Sequence, residues 1–456
     1  MSDTLDLHDI QGLVARGYGG LPEAAYLLLH VDQPTTARTW LHDLAGQVAT
    51  AHAAPAEAAV NVALTAPGLR ALTGDGELLA RFSRQFVAGM VSEHKSRFLG
   101  DQEADAPEGW AWGGPTTDPV HVLVLVYAAD AERLESRCTE LLEAAEAHGL
   151  RLVLRLATAT LTPTEHFGFR DGIAQPALAG LGPGRTGQAT VRDGEFVLGY
   201  RNEYDQYTER PLLPAASDPD RLLPRSATSR GDADLGRNGS YLVFRQLQQD
   251  VAAFRRFVET AATDPTGRVD EHRRDLVAAK MMGRWPSGAP LVLAPEHDDP
   301  ALGEENDFGY HDTDEHGLAC PLGAHVRRTN PRDSLEPSPG SDESWAVNRK
   351  HRLLRRGRAY GTHEDGGLHF ICLNANLARQ YEFVQHTWVN NPAFNGLYGE
   401  EDPVIGPRIG PTRFTEPAQP VRRRLHGLPR FVQMRGGAYF FLPGVAALRF
   451  LTRPAP

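Results

Sequence analysis

The chain has 456 residues, 41% of them hydrophobic and 23% charged, which supplies a large core and excludes wholesale disorder. Asp and Glu outnumber Lys and Arg by 58 to 47, a net charge of −11, and this argues against a general nucleic-acid binder. No apolar run approaches the roughly 18–20 residues that span a bilayer, the first residues carry no basic-then-apolar leader, and three cysteines make no disulfide framework, so a cytoplasmic protein without membrane contact is expected.

In chain order, Ala25 to Val31 reads as a buried strand, Pro34 to Val48 as a helix with Ala37, Trp40, Leu41 and Leu44 on one face, and Ala59 to Thr65 as a strand. The spacing predicts a long amphipathic helix over Gly76 to Phe98. Val120 to Tyr127 is the clearest strand, followed by a Glu- and Ala-rich helix over Ala129 to His148 and a strand over Arg151 to Leu161. The order β-α-β-β-α-β is that of the ferredoxin-like motif. A similar order recurs downstream: a strand at Ser240 to Leu247, a helix at Gln249 to Thr263, strands at Ala289 to Ala294 and Leu368 to Leu373, a helix at Ala375 to Val389, and a strand at Ala438 to Leu442. The expected fold class is therefore α+β, with duplicated ferredoxin-like units, antiparallel sheets and peripheral helices. The expected division is a first unit over residues 1–180, a Gly/Pro-rich connection or insertion over 181–237, and a second unit over 238–456.

The usual signatures of zinc proteases, thioredoxin-like redox proteins and serine hydrolases are absent. Three segments stand out instead. In Glu165-His-Phe-Gly-Phe-Arg-Asp-Gly-Ile-Ala-Gln-Pro176, two glycines flank Asp171 on a turn that a ligand can approach closely; a plain turn cap is the competing reading. In Ala319-Cys-Pro-Leu-Gly-Ala-His-Val-Arg-Arg-Thr-Asn-Pro-Arg-Asp333, small residues around His325 leave room for a large planar group, and a neutral imidazole is the usual axial ligand of haem iron. The arginines that follow, Arg327 among them, suit carboxylates; a histidine held by a backbone carbonyl is the alternative. In His351-Arg-Leu-Leu-Arg-Arg-Gly-Arg-Ala-Tyr-Gly361, at least one guanidinium of Arg355 and Arg356 turns inward, where it must be paired or used.

Taken together, Gly168-Phe-Arg-Asp-Gly172, the segment around His325 and Leu354-Arg-Arg-Gly-Arg-Ala-Tyr-Gly361 resemble the dye-decolourising peroxidases, in particular their larger cytoplasmic bacterial branch. Asp9-Ile-Gln-Gly-Leu13, Tyr241-Leu-Val-Phe-Arg-Gln-Leu247 and Gly367-Leu-His-Phe-Ile-Cys372 add to the resemblance. It implies haem b in a pocket in the C-terminal half, with His325 as axial ligand of the iron. Asp171 is then the distal acid/base and Arg355 the distal arginine; Arg327, Gly172, Leu368 and Phe370 line or hold the cofactor. Glu382 is the candidate partner for the second nitrogen of His325. The implied activity is reduction of hydrogen peroxide with oxidation of dyes, phenolics or other small one-electron donors; the alternative is a haem-binding or haem-transfer protein with little turnover. For donors too bulky to enter, Trp345 and Trp388 are the candidate radical sites.

Overall fold

The computed structural model describes residues 4–182, 184 and 188–453, so Pro183 and residues 185–187 of the expected connection lie outside the described residues. The first half contains β1 (Glu23–Val31), α1 (Pro34–Leu44), β2 (Ala58–Leu64), β3 (Val122–Ala128), α2 (Ala131–Ala147) and β4 (Leu150–Ala157). Its strands lie side by side in the order β4-β1-β3-β2, all antiparallel. β3 shows why the sequence chooses this place for it. Val122, Val124 and Val126 enter the core on one face, and Leu123, Leu125 and Tyr127 enter the core on the other, as the two-residue period of a strand requires. α2 starts where the Asp130 side chain accepts from the Arg133 amide, an ordinary N-cap.

The second half contains β5 (Ser240–Gln249), α3 (Val251–Ala262), α4 (Glu271–Met282), α5 (His325–Thr329), β6 (Leu354–Arg355), β7 (Arg358–Tyr360), β8 (Gly367–Asn374) and β9 (Val432–Leu442). Two π-helical segments, Ala378–Glu382 and Val384–Val389, lie between β8 and β9. β6 and β7 both pair with β8, which pairs with β5, which pairs with β9. Phe441 of β9 opposite Leu64 of β2 joins the halves, so the two antiparallel units form one nine-stranded sheet.

Two expectations change. Ala289 to Ala294 is not a strand: Pro290 and Pro295 withhold donors from any ladder, and Leu291 instead joins a local cluster with Trp285 and Tyr310. The broken pair β6 and β7 takes the place of that strand at the sheet edge. The helix over Gly76 to Phe98 is three short ones, Gly76–Leu79, Arg84–Ala88 and Glu93–Leu99, started by Asp75, Ser83 and Ser92. Each of these side chains satisfies local amides and resets the helix.

Candidate functional site

The loop after β4 is built around the half-buried carboxylate of Glu165. Glu165 accepts from the Phe167 and Phe169 amides, both at 2.9 Å, and from Gln249 Nε2 at 2.6 Å; burial pushes its carboxyl above the usual range. Gly168 and Gly172 adopt φ of +96° and +78°, a backbone that glycine takes without strain. The turn they make presents Asp171 to an adjoining cavity. Asp171 Oδ1 accepts from the Gly172 amide at 2.6 Å and from Arg355 Nη2 at 3.3 Å, while no described residue bonds Oδ2.

Arg355 sits on the edge strand β6, its amide held by Gln175 Oε1 at 2.9 Å. The next residue points the other way, as successive strand residues do: Arg356 donates to the Leu13 and Val14 carbonyls, both at 2.8 Å. Of the two adjacent arginines, Arg355 is therefore the one that reaches the cavity. Leu368 and Phe370, two apart on β8, share a face and line it too.

His325 opens α5. Its Nδ1 lies 2.9 Å from Asp402 Oδ2, and no described residue bonds Nε2. Asp402 is completely buried, and its Oδ1 accepts from the Val404 and Ile405 amides at 2.8 and 2.9 Å. Burial works to raise the Asp402 pKa, but the contact with His325, the charge of Arg328 and the Ile405 amide outweigh it and hold the carboxyl below the usual range. A carboxylate fixed in this way orients the imidazole with its other nitrogen free for a ligand.

Asp171, Gly172, His325, Arg355, Leu368 and Phe370 line one cavity of about 1440 Å³, counting its open mouth. Arg327 does not. It is buried against Asp314 (3.2 Å) and the Cys320 carbonyl, with its guanidinium 4.3 Å from the Tyr310 ring centroid, so its charge is matched there and not in the cavity. Glu382 is not the partner of His325 either: both of its oxygens bond Lys95 Nζ, at 2.6 and 2.7 Å. Trp388 is buried beside His351 and Phe383; Trp345 is half-buried and lines a separate polar pocket.

The sequence reading missed Asp402, which lies 77 positions from His325 and carries no local signal beyond an acidic run ending in proline. It also missed Arg352. This guanidinium is buried, lines the cavity, donates to the Ala174 carbonyl at 2.6 Å, and forms no ion pair among the described residues. Burial, then the neighbouring Arg332 and Arg355, pull its pKa down to about 9. Arg284 lines the same cavity, bonded to backbone carbonyls and Asn306, and Asn330 adds a buried Nδ2 that no described residue bonds.

A ferredoxin-like duplicated sheet thus brings a carboxylate-backed imidazole and a carboxylate–guanidinium pair to one large cavity. The profile "Dyp-type peroxidase, C-terminal" matches residues 216–396. A dye-decolorizing peroxidase of Mycena epipterygia is 31% identical over 437 residues, covering 86% of this chain and 75% of that protein. One of Exidia glandulosa is 35% identical over 303 residues, 62% of this chain and 55% of that protein. The multifunctional dye peroxidase DyP2 of an Amycolatopsis species is 34% identical over 331 residues, 65% of this chain and 63% of that protein. This chain thus spans between about half and three quarters of the length of these relatives. Among solved structures, a decolorizing peroxidase of Auricularia auricula-judae superposes with a TM-score of 0.80 at 26% identity, covering 98% of this chain and 100% of that one. The chain belongs to the dye-decolorizing peroxidase family, whose cofactor is haem b.

The residues present fit that group. Haem is a broad apolar ring with two carboxylates, and the cavity offers apolar walls from Leu247, Leu368, Phe370, Val384 and Ile405. At its polar side Arg352 is a buried cation with no counter-ion among the described residues, which is costly until an anion arrives. His325 Nε2 is the free soft donor that iron requires.

Proposed function

We propose that this protein is a haem b-dependent peroxidase that reduces hydrogen peroxide and oxidises dyes, phenolics or other small one-electron donors. The observation that carries this reading is the convergence of His325, Asp171 and Arg355 on one cavity. When bound, haem supplies an iron with an open coordination position and one-electron redox chemistry. His325 Nε2 would hold the iron, with Asp402 fixing the ring, and Arg352 would meet the carboxylates. Asp171, through its unpartnered Oδ2, takes the proton from one peroxide oxygen and returns it to the departing one, the work of a positioned general base and acid. Arg355, held against Asp171 at 3.3 Å, faces the negative charge that develops on the departing oxygen, a role for a preorganised cation. Gly172 lets the backbone come close, and Leu368 and Phe370 keep water from the reacting atoms.

A related structure is a complex with 2,6-dimethoxyphenol, which supports a phenol as reductant here. Among the described residues no helix is long and apolar enough to cross a membrane. We place the protein in the cytoplasm, supported by three buried, unpaired cysteines. A haem carrier has no use for a carboxylate–guanidinium pair over its ligand site, which favours turnover over the haem-transfer reading.

The test is to add haem to the protein and record its absorption, then assay peroxide-dependent oxidation of 2,6-dimethoxyphenol. The expected result is a Soret band that is displaced or lost in His325→Ala, together with turnover. Absence of the band, or a band indifferent to His325→Ala, contradicts the reading; a normal band without turnover leaves the carrier.

A further inference from the structure

Asp171 is exposed on its turn, and the turn has little packing of its own: beyond their chain neighbours, nothing lies within 4 Å of where a Cβ would stand on Gly168 or Gly172. Two backbone bonds close the loop, from the Glu165 amide to the Phe169 carbonyl at 3.0 Å and from the Asp171 amide to the Pro163 carbonyl at 3.2 Å. Between them stands Glu165, whose carboxylate collects three donors: the Phe167 amide and Gln249 Nε2 on Oε2, and the Phe169 amide on Oε1. Gln249 is the last residue of β5, opposite Val432 in the sheet, and its amide bonds the Gly366 carbonyl at 3.0 Å. The carboxylate therefore ties the loop to a rigid strand. Phe167 and Phe169 follow it down to the Phe254 ring of α3, at 4.8 and 6.4 Å between centroids. All three donors are neutral. A carboxylate half-withdrawn from water with no cation among its partners loses solvation, and the negative charge of Asp171 adds to the cost. What offsets this is a pair of oxygens that only accept, in bonds about twice as strong as those between neutral groups.

We propose that Glu165 is a positioning residue for the peroxide step: it acts through Asp171, fixing the turn so that the Asp171 carboxylate stays beside Arg355 with its Oδ2 uncommitted. The inference rests on the peroxidase reading. Glutamine cannot take over this role. Its one oxygen can replace Oε1 or Oε2, and its NH₂ group then faces the amide of Phe167 or of Phe169, donor against donor. The side chain must withdraw, and the turn is freed just ahead of Asp171. A misplacement of about 1 Å can cost on the order of 10²-fold in rate, and here the loss falls on the step that uses Asp171. Gln249→Met is the milder perturbation. It removes one of the three donors and leaves both amides bonded, and it strands no partner, because no described residue bonds Gln249 Oε1.

The experiment loads the full chain with haem and follows the first peroxide-driven change of the Soret band by stopped flow in the parent, Glu165→Gln, Asp171→Asn and the double variant. The expected result is a rate lowered about 10–100-fold in Glu165→Gln, with the haem titration and the Soret band before peroxide as in the parent. Added to Asp171→Asn, Glu165→Gln should change the rate by less than about 2-fold, because two residues that act as a unit are not additive. A residue that merely steadied the protein would slow both backgrounds by the same factor. Gln249→Met should show a smaller loss that also vanishes beside Asp171→Asn, and it decides the matter where Glu165→Gln does not fold. A rate equal to the parent's in the variant that folds, the same fold-loss in both backgrounds, or weakened haem binding that accounts for the loss overturns the positioning role and leaves the peroxidase reading standing. A parent Soret band that peroxide leaves unchanged overturns the peroxidase reading and the positioning role with it.

Discussion

Asp402→Asn isolates the contact behind His325. The side chain is fully enclosed, so no water replaces what is lost. Asparagine can keep one oxygen on the Val404 and Ile405 amides, now bonded at 2.8 and 2.9 Å, so the loop is preserved. Its NH₂ group then faces His325 Nδ1, 2.9 Å from the present carboxylate oxygen. Two donors cannot share that space, so the imidazole must shift its proton to Nε2, the nitrogen that faces the cavity, or turn away. Either outcome withdraws the lone pair that iron needs. Losing such a supporting carboxylate typically costs about 10–100-fold in metal affinity or activity, about 1.4–2.7 kcal/mol. Haem titrated into parent and variant, followed at the Soret band, should show this weakening, and the melting temperature of the haem-free forms should differ little. Equal haem affinity in the two proteins would refute the assignment of Asp402 as the group that sets the His325 tautomer.

Asp171→Asn should retain haem but slow the first peroxide-driven change of the Soret band by about 10²–10⁴-fold, and Arg355→Leu by about 10²–10³-fold; stopped-flow rates equal to the parent for both would remove their proposed roles. Arg352→Met should leave the haem-free protein as stable or more so, because a buried cation without a counter-ion is removed, yet weaken haem binding by about 1.5–3 kcal/mol. An unchanged haem titration would show that Arg352 meets no carboxylate. His369 is buried with its Nε2 3.1 Å from the Ala157 carbonyl, and burial takes its pKa from the usual 6.5 down to about 4. Unfolding below pH 6.5 therefore adds a proton that the folded ring refuses, so its contribution, on the order of 3 kcal/mol, is whole above pH 6.5 and is lost as pH falls toward 4. Denaturant titrations should show the stability gap between parent and His369→Gln constant above pH 6.5 and shrinking below it; a gap independent of pH would mean that the folded ring accepts the proton.

Much of the architecture was legible in the letters because it rests on short-range periodicity. The alternating Val and Leu of β3 and the capped, amphipathic α2 declare themselves within a few residues, and so the first β-α-β-β-α-β unit could be drawn before any coordinates. The second unit was harder. Its edge strand is two fragments, Leu354–Arg355 and Arg358–Tyr360, too short for any period to show, while the apolar run at Ala289 to Ala294 displayed a strand-like composition and found a local cluster instead. The turn around Asp171 was marked by its glycines and the room around His325 by small residues, but neither stood out as functional until the motifs were read together as a resemblance to one family.

What the sequence alone determined is most of the set of elements, because helix and strand periods and turn chemistry are properties of neighbouring residues; which groups react it offered only through the resemblance of its motifs to a family. Which of Arg355 and Arg356 faces inward, that Arg327 is spent on Asp314, that Asp402 stands behind His325 across 77 positions, and that Arg352 is left without a counter-ion were decided by the tertiary structure. These are matters of which side chains share an enclosed volume, and in that volume the cost of an unpaired charge or donor is set by partners that come from distant parts of the chain.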